Sequence, residues 1–405
     1  MLVKKACKYR FYPTPDQAGQ LARTFGCARF IYNWGLKTRT DAFYQNQERL
    51  YYKDLALRLT GIKKDQSTEW LNEVSNVVLQ QSLRHLDTAF ANFFAGRSRY
   101  PTFKKKSGWQ SASYMQNGFS FRDGQIKLAK QDEPLNIRWS RPLPEGTIPS
   151  SVSVTRSPAG RYYVSLLVEE ETLPLPVTTN MVGLDMGLTD IVITSNGMKS
   201  GNPKHLQQKQ KKLQRYQRIM ARKLEAAKVK AGIPKGAPIP KGKKIEKSKN
   251  FIKAAQKVAR QHERVGDTRR DFQHKLTTAL VNNNQVIAVE DLNVKGMVKN
   301  PKLARSISDV GWSEIARQLE YKAHWYGRQF VRIDQWLPSS KRCSGCGHIL
   351  GSLPLQIRHW SCPACGIKHD RDINAAKNIL SAGCAMLSGA GKLRDRKPTG
   401  GQPGS

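Results

Sequence analysis

The chain has 405 residues, 39% hydrophobic and 24% charged, a globular composition too long for one core, so two or three domains are expected. No run reaches the ~18 apolar residues that span a bilayer, and Met1-Leu2-Val3-Lys4-Lys5 has no apolar secretory core; a cytoplasmic protein with no membrane partner is expected. Sixty-eight Lys and Arg against 31 Asp and Glu leave +37, spread along the whole chain, which calls for a polyphosphate partner and steep salt sensitivity.

Residues 3–12 are predicted as a strand, since Val3, Cys7, Tyr9 and Phe11 share one parity and Lys4, Lys8 and Arg10 the other. Pro13 and Pro15 end it, and Asp16 is read as the cap of a helix through Leu21, Phe25 and Arg29 towards Trp34 and Leu36. A second helix is predicted over 76–94. Its stripe is Leu79, Leu83, Leu86, Phe90 and Phe93, at spacings of three and four, with Asn76, Gln80 and Arg84 off it. The basic run Lys104-Lys105-Lys106 follows at its exit. From about 118 to 170, short alternating runs such as 151–155 and 162–168 are broken by Pro and Gly, which argues for antiparallel strands. Residues 1–172 are expected to form one unit, a barrel-like sheet with a helical insertion at about 16–105. Leu173-Pro174-Leu175-Pro176 reads as the start of a linker, 173–180.

The second half opens on a strand-like stretch, 181–194, followed by two long polar helices at about 204–228 and 249–283. Leu206, Leu213, Met220 and Leu224 mark one apolar stripe; Phe251, Val258, Val265, Phe272 and Leu276 mark the other at near-heptad spacing. The Pro, Gly and Lys of 232–244 form the loop between them, so a basic helical hairpin is expected over 204–283. Strands are expected at 285–293 and 325–333, a helix at 374–385, and a disordered Gly/Pro tail at 392–405.

Cys343-x2-Cys346, fifteen intervening residues, and Cys362-x2-Cys365 match the spacing of a tetrahedral four-thiolate Zn2+ site. Four thiolates leave no open position for substrate, so the site reads as structural. Cys7, Cys27 and Cys384 read as ordinary buried thiols. Phosphodiester hydrolysis by two metals needs converging carboxylates, and hard oxygen ligands favour Mg2+ or Mn2+. Asp185 faces away from Val182, Leu184 and Met186, and its neighbours Gly183 and Gly187 would admit a phosphate backbone. Glu290 closes the apolar run Val286-Ile287-Ala288-Val289, costly to bury unless solvated or metal-bound. Asp372 stands before a helix and reads as its N-cap, a role compatible with metal binding. Taken singly, each has a bland reading: an edge-strand aspartate, a strand end, a cap.

The strings Pro338-Ser339-Ser340-Lys341-Arg342-Cys343-Ser344-Gly345-Cys346-Gly347, Cys362-Pro363-Ala364-Cys365-Gly366 and His369-Asp370-Arg371-Asp372-Ile373-Asn374-Ala375-Ala376-Lys377-Asn378-Ile379 closely resemble the TnpB family of insertion sequences, relatives of type V CRISPR effectors. Val182-Gly183-Leu184-Asp185-Met186-Gly187, Val289-Glu290-Asp291-Leu292, Ser306-Ile307-Ser308-Asp309-Val310-Gly311-Trp312 and Gly26-Cys27-Ala28-Arg29-Phe30-Ile31-Tyr32-Asn33 add to the likeness. The resemblance implies an RNA-guided DNA endonuclease of α+β multidomain build. Its N-terminal part would be a wedge-like β-barrel with a helical recognition insertion. Its C-terminal part would be an RNase H-like (RuvC) α/β domain, 181–340 and 369–391, with a zinc ribbon inserted at 341–368. The family's catalytic triad carries over onto Asp185, Glu290 and Asp372 with Mg2+, and its motif-reading helix onto Gln80 and, less closely, Asn76. Implied partners are one guide RNA per protein, derived from the transposon end, and double-stranded target DNA beside a short motif. The rivals are a non-cutting RNA-guided regulator, a strand-transfer transposase and a small type V CRISPR effector.

Overall fold

The strand β1 (Leu2–Phe11) buries Val3, Cys7, Tyr9 and Phe11 and turns Lys4 and Lys8 outward, as its alternation requires. The computed structural model describes residues 1–144 and 146–389; the expected disordered tail, 392–405, lies outside the described residues. The chain falls into two compact units, Leu2–Glu171 and one that begins at Thr172. No helix among the described residues is long and apolar enough to cross a membrane.

In the first unit, β1 is followed by α1 (Pro15–Asn46), α2 (Tyr52–Ile62) and α3 (Asn76–Phe94). The cap of α1 is Thr14, where Asp16 was expected. Thr14 Oγ1 accepts from the Gln17 N–H, and Gln17 Oε1 accepts from the Thr14 N–H, a reciprocal box. Pro15 takes the first helical position, where a missing N–H costs nothing, and Asp16 sits in the first turn, favoured by the helix dipole. Ile31, Leu36, Leu55, Leu71, Leu83 and Leu86 join the three helices in one apolar cluster.

The remaining strands are β2 (Gln110–Met115), β3 (Phe119–Arg122), β4 (Gln125–Leu128), β5 (Ile137–Arg138), β6 (Ser151–Arg156) and β7 (Tyr162–Glu171). They build an antiparallel sheet in the order β2-β6-β7-β1-β5, with β1 paired to β7 from Leu2↔Glu171 to Phe11↔Tyr162. The expected barrel-like sheet is a half-barrel: among the described residues its hydrogen bonding runs from β2 to β5 without closing. The separate β3–β4 hairpin contributes Ile126 and Leu128 to the same core as Leu21, Phe25 and Val78.

The second unit opens with β8 (Met181–Asp185), which stops where the sequence pattern predicted a run to 194. A loop follows, and β9 (Ile193–Thr194) turns back antiparallel at Leu184↔Thr194. The hairpin helices are α4 (His205–Lys230) and α5 (Lys249–Asn283), packed through Leu213, Phe251, Val258 and Val265. Then come β10 (Val286–Glu290), α6 (Val294–Met297), α7 (Ala304–Val310), α8 (Trp312–Trp325) and β11 (Gln329–Ile333). Trp325 closes α8 instead of opening a strand, because the chain reverses at Gly327, whose φ is +67°. Last are β12 (His359–Ser361), β13 (Lys368–Asp370) and α9 (Arg371–Leu387).

The central sheet is ordered β11-β10-β8-β9, with β8, β10 and β11 parallel. Val286, Ile287, Ala288 and Val289 are buried on both faces, as a covered parallel strand demands. One face, Val182, Leu184, Ile287 and Val289, packs on Leu280, Val281, Ile315 and Leu319 of α5 and α8. The other face is small-sided, and α9 lies directly on it. A Cβ at Gly183 would come within 2.1 Å of Ala376 O, and one at Gly383 within 2.6 Å of Ala288 Cβ.

Candidate active site and metal centre

Asp185 and Glu290 are the last residues of β8 and β10, which run parallel with Leu184 beside Val289. Their carboxylates therefore leave the same, carboxyl end of the sheet, where ligands of open α/β sheets bind. Asp372 comes from the first turn of α9, the helix seated on Gly183. This changes the meaning of the glycines flanking Asp185. Gly183 is filled by the α9 backbone, and the space at Gly187 is taken by Asp190 O, 2.7 Å from an added Cβ. Both positions therefore have a packing reason to be glycine.

The three acids share one electrostatic field. Burial first, then the negative charges of Glu290 and Asp372, push the Asp185 carboxyl up to about 7, against the smaller opposing pull of Arg371 and the Met186 N–H. Burial also raises Glu290, whose Oε1 accepts a 2.5 Å hydrogen bond from Ser339 Oγ that lowers it. Asp372 is instead gripped by Arg358 Nη1, which donates to both of its oxygens at 3.2 Å. Among the described residues, the carboxylates do not draw three ligand atoms within 4.8 Å of one another; only the four cysteines do.

The cap of α9 is Asp370, where Asp372 was expected. Asp370 Oδ1 accepts from the Asp372 and Ile373 N–H groups at 3.0 and 3.1 Å, and its Oδ2 accepts from Lys199 Nζ at 2.8 Å. The helix dipole is thereby satisfied by Asp370, and the Asp372 carboxylate is left to point at its neighbours.

The Sγ atoms of Cys343, Cys346, Cys362 and Cys365 lie within 4.8 Å of one another. Cys343–Cys365 and Cys346–Cys362 are 3.7 and 3.6 Å apart, close to the ~3.8 Å edge of a tetrahedron with Zn–S near 2.3 Å. Charge makes the same demand. Burial raises the Cys343 thiol, but the N–H groups of Cys346 and Gly345, with His369 at 3.0 Å, outweigh it and hold the thiol at about 5. Cys365, eased downward by the Ile367 N–H, is nevertheless pushed up to about 12 by burial and the other three sulfurs. Sulfurs this crowded share negative charge only around a cation, and all-sulfur donors suit zinc. Of the remaining cysteines, Cys7 and Cys27 are buried as expected, whereas Cys384 is only half-buried.

Two residues that sequence reasoning missed tie these centres together. Asn374 Oδ1 accepts from the Ser344 N–H at 2.9 Å, and its Nδ2 donates to Arg342 O at 2.7 Å. Asn378, one turn on, donates to Ser339 O at 2.8 Å and Arg342 O at 2.7 Å. Both are buried, and together they clamp the first cysteine turn to the helix that carries Asp372. Paired asparagines four apart, flanking apolar helix positions, are the signal that would have found them. Ser339, Arg358 and Lys199, which contact the acids, carry no such signal. In the first unit, Asn76 is exposed at the start of α3 and accepts from Lys63 Nζ at 3.3 Å; Gln80 is half-buried one turn on.

Three family models match this chain: "Helix-turn-helix domain" over 1–48, "Probable transposase" over 165–233 and 242–301, and "Cas12f1-like, TNB domain" over 312–379. Within the first, residues 15–46 are one continuous helix. The chain shares its α+β fold with the protein in "Cryo-EM structure of the Cas12f1-sgRNA-target DNA complex", at TM-score 0.54 and 14% identity, over 93% of this chain and 98% of that one. A "Putative RNA-guided DNA endonuclease" of Streptomyces pristinaespiralis is 49% identical over 98% of this chain and 93% of its own. The "Putative RNA-guided DNA endonuclease InsQ" of Escherichia coli K12 is 30% identical over 98% of this chain and 97% of its own. The chain belongs to the TnpB family.

Proposed function

We propose that this chain is an RNA-guided DNA endonuclease that hydrolyses DNA at Asp185, Glu290 and Asp372. The observation that carries this reading is the mutual charge of the three acids at the carboxyl end of parallel strands. Such a cluster is costly unless a cation is meant to occupy it. The donors are all carboxylate oxygens, which suits Mg2+ or Mn2+. When bound, a pair of such ions would supply an activated water and stabilise the departing 3′-oxygen. The chain's own part is to hold the acids. Sheet register sets Asp185 beside Glu290, Ser339 fixes the Glu290 carboxylate, and α9 delivers Asp372, whose two oxygens accept from Arg358. Zinc at the four cysteines would staple the ribbon and take no part in hydrolysis.

Guide RNA, derived from the transposon end, would neutralise much of the +37 charge and read the target by base pairing. The protein itself would read a short motif beside the target through Gln80 and Asn76 on the outer side of α3. We read the second unit as RuvC-like, and the half-barrel with its helices as the wedge and recognition parts. Retention of all three acids speaks against a non-cutting regulator. The test is plasmid cleavage by the protein with its co-purified RNA. Asp185→Ala should abolish Mg2+-dependent cutting and leave RNA binding intact; cutting that survived the substitution would refute the assignment.

A further inference from the structure

The exit of α3 carries a feature that the cutting site does not use. Phe93, Phe94 and Tyr100 pack as one cluster, with ring centroids 5.2 Å apart for Phe93 and Phe94 and 5.3 Å for Phe93 and Tyr100. The cluster is held firmly from beneath. Phe90 meets Tyr100 edge-on at 5.5 Å, and the Tyr100 hydroxyl lies 2.8 Å from Thr40 Oγ1. The turn between the rings closes as the Arg97 and Ser98 N–H groups donate to Asn92 O at 2.9 and 3.1 Å, with Gly96 at a φ of +68°. Nevertheless much of the cluster is uncovered: Phe93 is half-buried, but Phe94 is 75% exposed, Tyr100 40%, and Phe103 beyond them 57%. Rigid aromatic surface left in water marks an interaction site.

Charge identifies the partner. Between Asp87 and Asp123 there is no acidic residue, while Arg97, Arg99, Lys104, Lys105, Lys106 and Arg122 are all cations. Among the described residues, neither Arg97 nor Arg99 has a carboxylate partner. Lys104 is the exception in that row, folded back with Nζ 3.9 Å over the Tyr32 ring; its backbone bonds to the Asn33 side chain pin the segment to α1. Unopposed positive charge beside open rings matches a phosphodiester strand whose bases are free to stack.

We propose that Phe93, Phe94 and Tyr100, with Arg97 and Arg99, form a stacking platform for unpaired nucleotides. The inference rests on the nucleic-acid partner proposed above but not on the carboxylates, so plasmid cutting tests that reading and strand binding tests this one. The strand has two possible sources, guide RNA and opened DNA, and the experiment separates them.

The full-length protein is titrated with three fluorescent strands of equal length: oligo-U, oligo-dT and an abasic deoxyribose-phosphate strand. Phe94→Ala should weaken base-bearing strands about fivefold or more and leave the abasic strand unchanged. Phe94→Leu, which keeps apolar bulk without a π face, should lose nearly as much. Arg97→Gln with Arg99→Gln should weaken all three. A larger loss on oligo-U assigns the platform to the guide, and a larger or equal loss on oligo-dT to opened DNA. Crosslinks from 5-iodouracil-substituted strands, mapped by mass spectrometry, should fall within 93–100. The platform is overturned if Phe94→Ala weakens the abasic strand equally or leaves every strand unaffected, or if crosslinks fall elsewhere. Full affinity in Phe94→Leu, or a change in its mass by light scattering, would overturn it in favour of an apolar contact or a second copy of this chain.

Discussion

Asp185 is held at a cost that should be measurable without any substrate. A carboxyl with a folded pKa of about 7, well above the ~3.9 of an unfolded aspartate, keeps its proton in the fold. Between those two values the folded state binds more protons than the unfolded one, so stability falls as pH rises through that window and is unaffected below it. Metal-free protein should therefore melt at lower temperature at about pH 8 than at about pH 5, and Asp185→Asn should flatten that dependence and raise the melting point at the alkaline end. Mg2+ should do the same for the unaltered chain. Equal slopes in the two proteins would remove the argument. The address of this residue was legible in the sequence, as a lone acid closing an apolar alternation. The meaning of its neighbour was not. Gly183 beside a carboxylate looks like room for a ligand, and only the placement of α9 reveals that a helix occupies it.

The element that organises both centres is α9. Its boundaries were half legible: the apolar pattern placed a helix there, but the Asp370–Asp372 ambiguity put the start at the wrong aspartate. Capping depends on which side chain folds back to the first N–H groups, and two aspartates two residues apart offer the backbone the same chemistry. By contrast α3 was legible to the residue, because its stripe at spacings of three and four is uninterrupted from Leu79 to Phe90. The spacing of Asn374 and Asn378 marks them as a pair, but their partners were not legible, since a polar helical residue says nothing about which carbonyl it will meet. Asn374→Ala should leave the Ser344 N–H short of its acceptor, while Arg342 O keeps the bond from Asn378, and cost about 1–3 kcal/mol. Urea denaturation should register that loss, and a chromogenic chelator should draw zinc faster from the variant than from the parent chain. Unchanged zinc release would mean that the cysteine turn needs no support from the helix.

At the scale of the whole molecule, +37 dominates. It was plain in composition, whereas the antiparallel and parallel parts were legible in the alternating runs at 151–155 and 162–168 and in the unbroken apolar run at 286–289. The closure of the first sheet was not legible, because alternation fixes which side of a strand is buried and leaves the edges undetermined. A chain this cationic should respond to salt in two opposed ways. Free of RNA, its melting temperature should rise with salt as self-repulsion is screened. Its affinity for RNA should fall along a steep straight line of log K against log salt, with slope near −0.7 for each neutralised phosphate of a single strand. A shallow line, measured by filter binding across a salt series, would show that most of the charge meets no phosphate.

Gly183 and Asp185, two residues apart on one strand, are constrained by different physics. Any side chain at Gly183 drives α9 off the sheet, so its loss is a loss of the protein itself. A neutral residue at Asp185 relieves buried repulsion, so on the proposed reading its loss would remove chemistry while leaving a sturdier fold. The route from a cutting enzyme to a silent, well-folded binder is thus a downhill single step. Descendants of this chain that stop cutting should shed their acids first and keep their glycines.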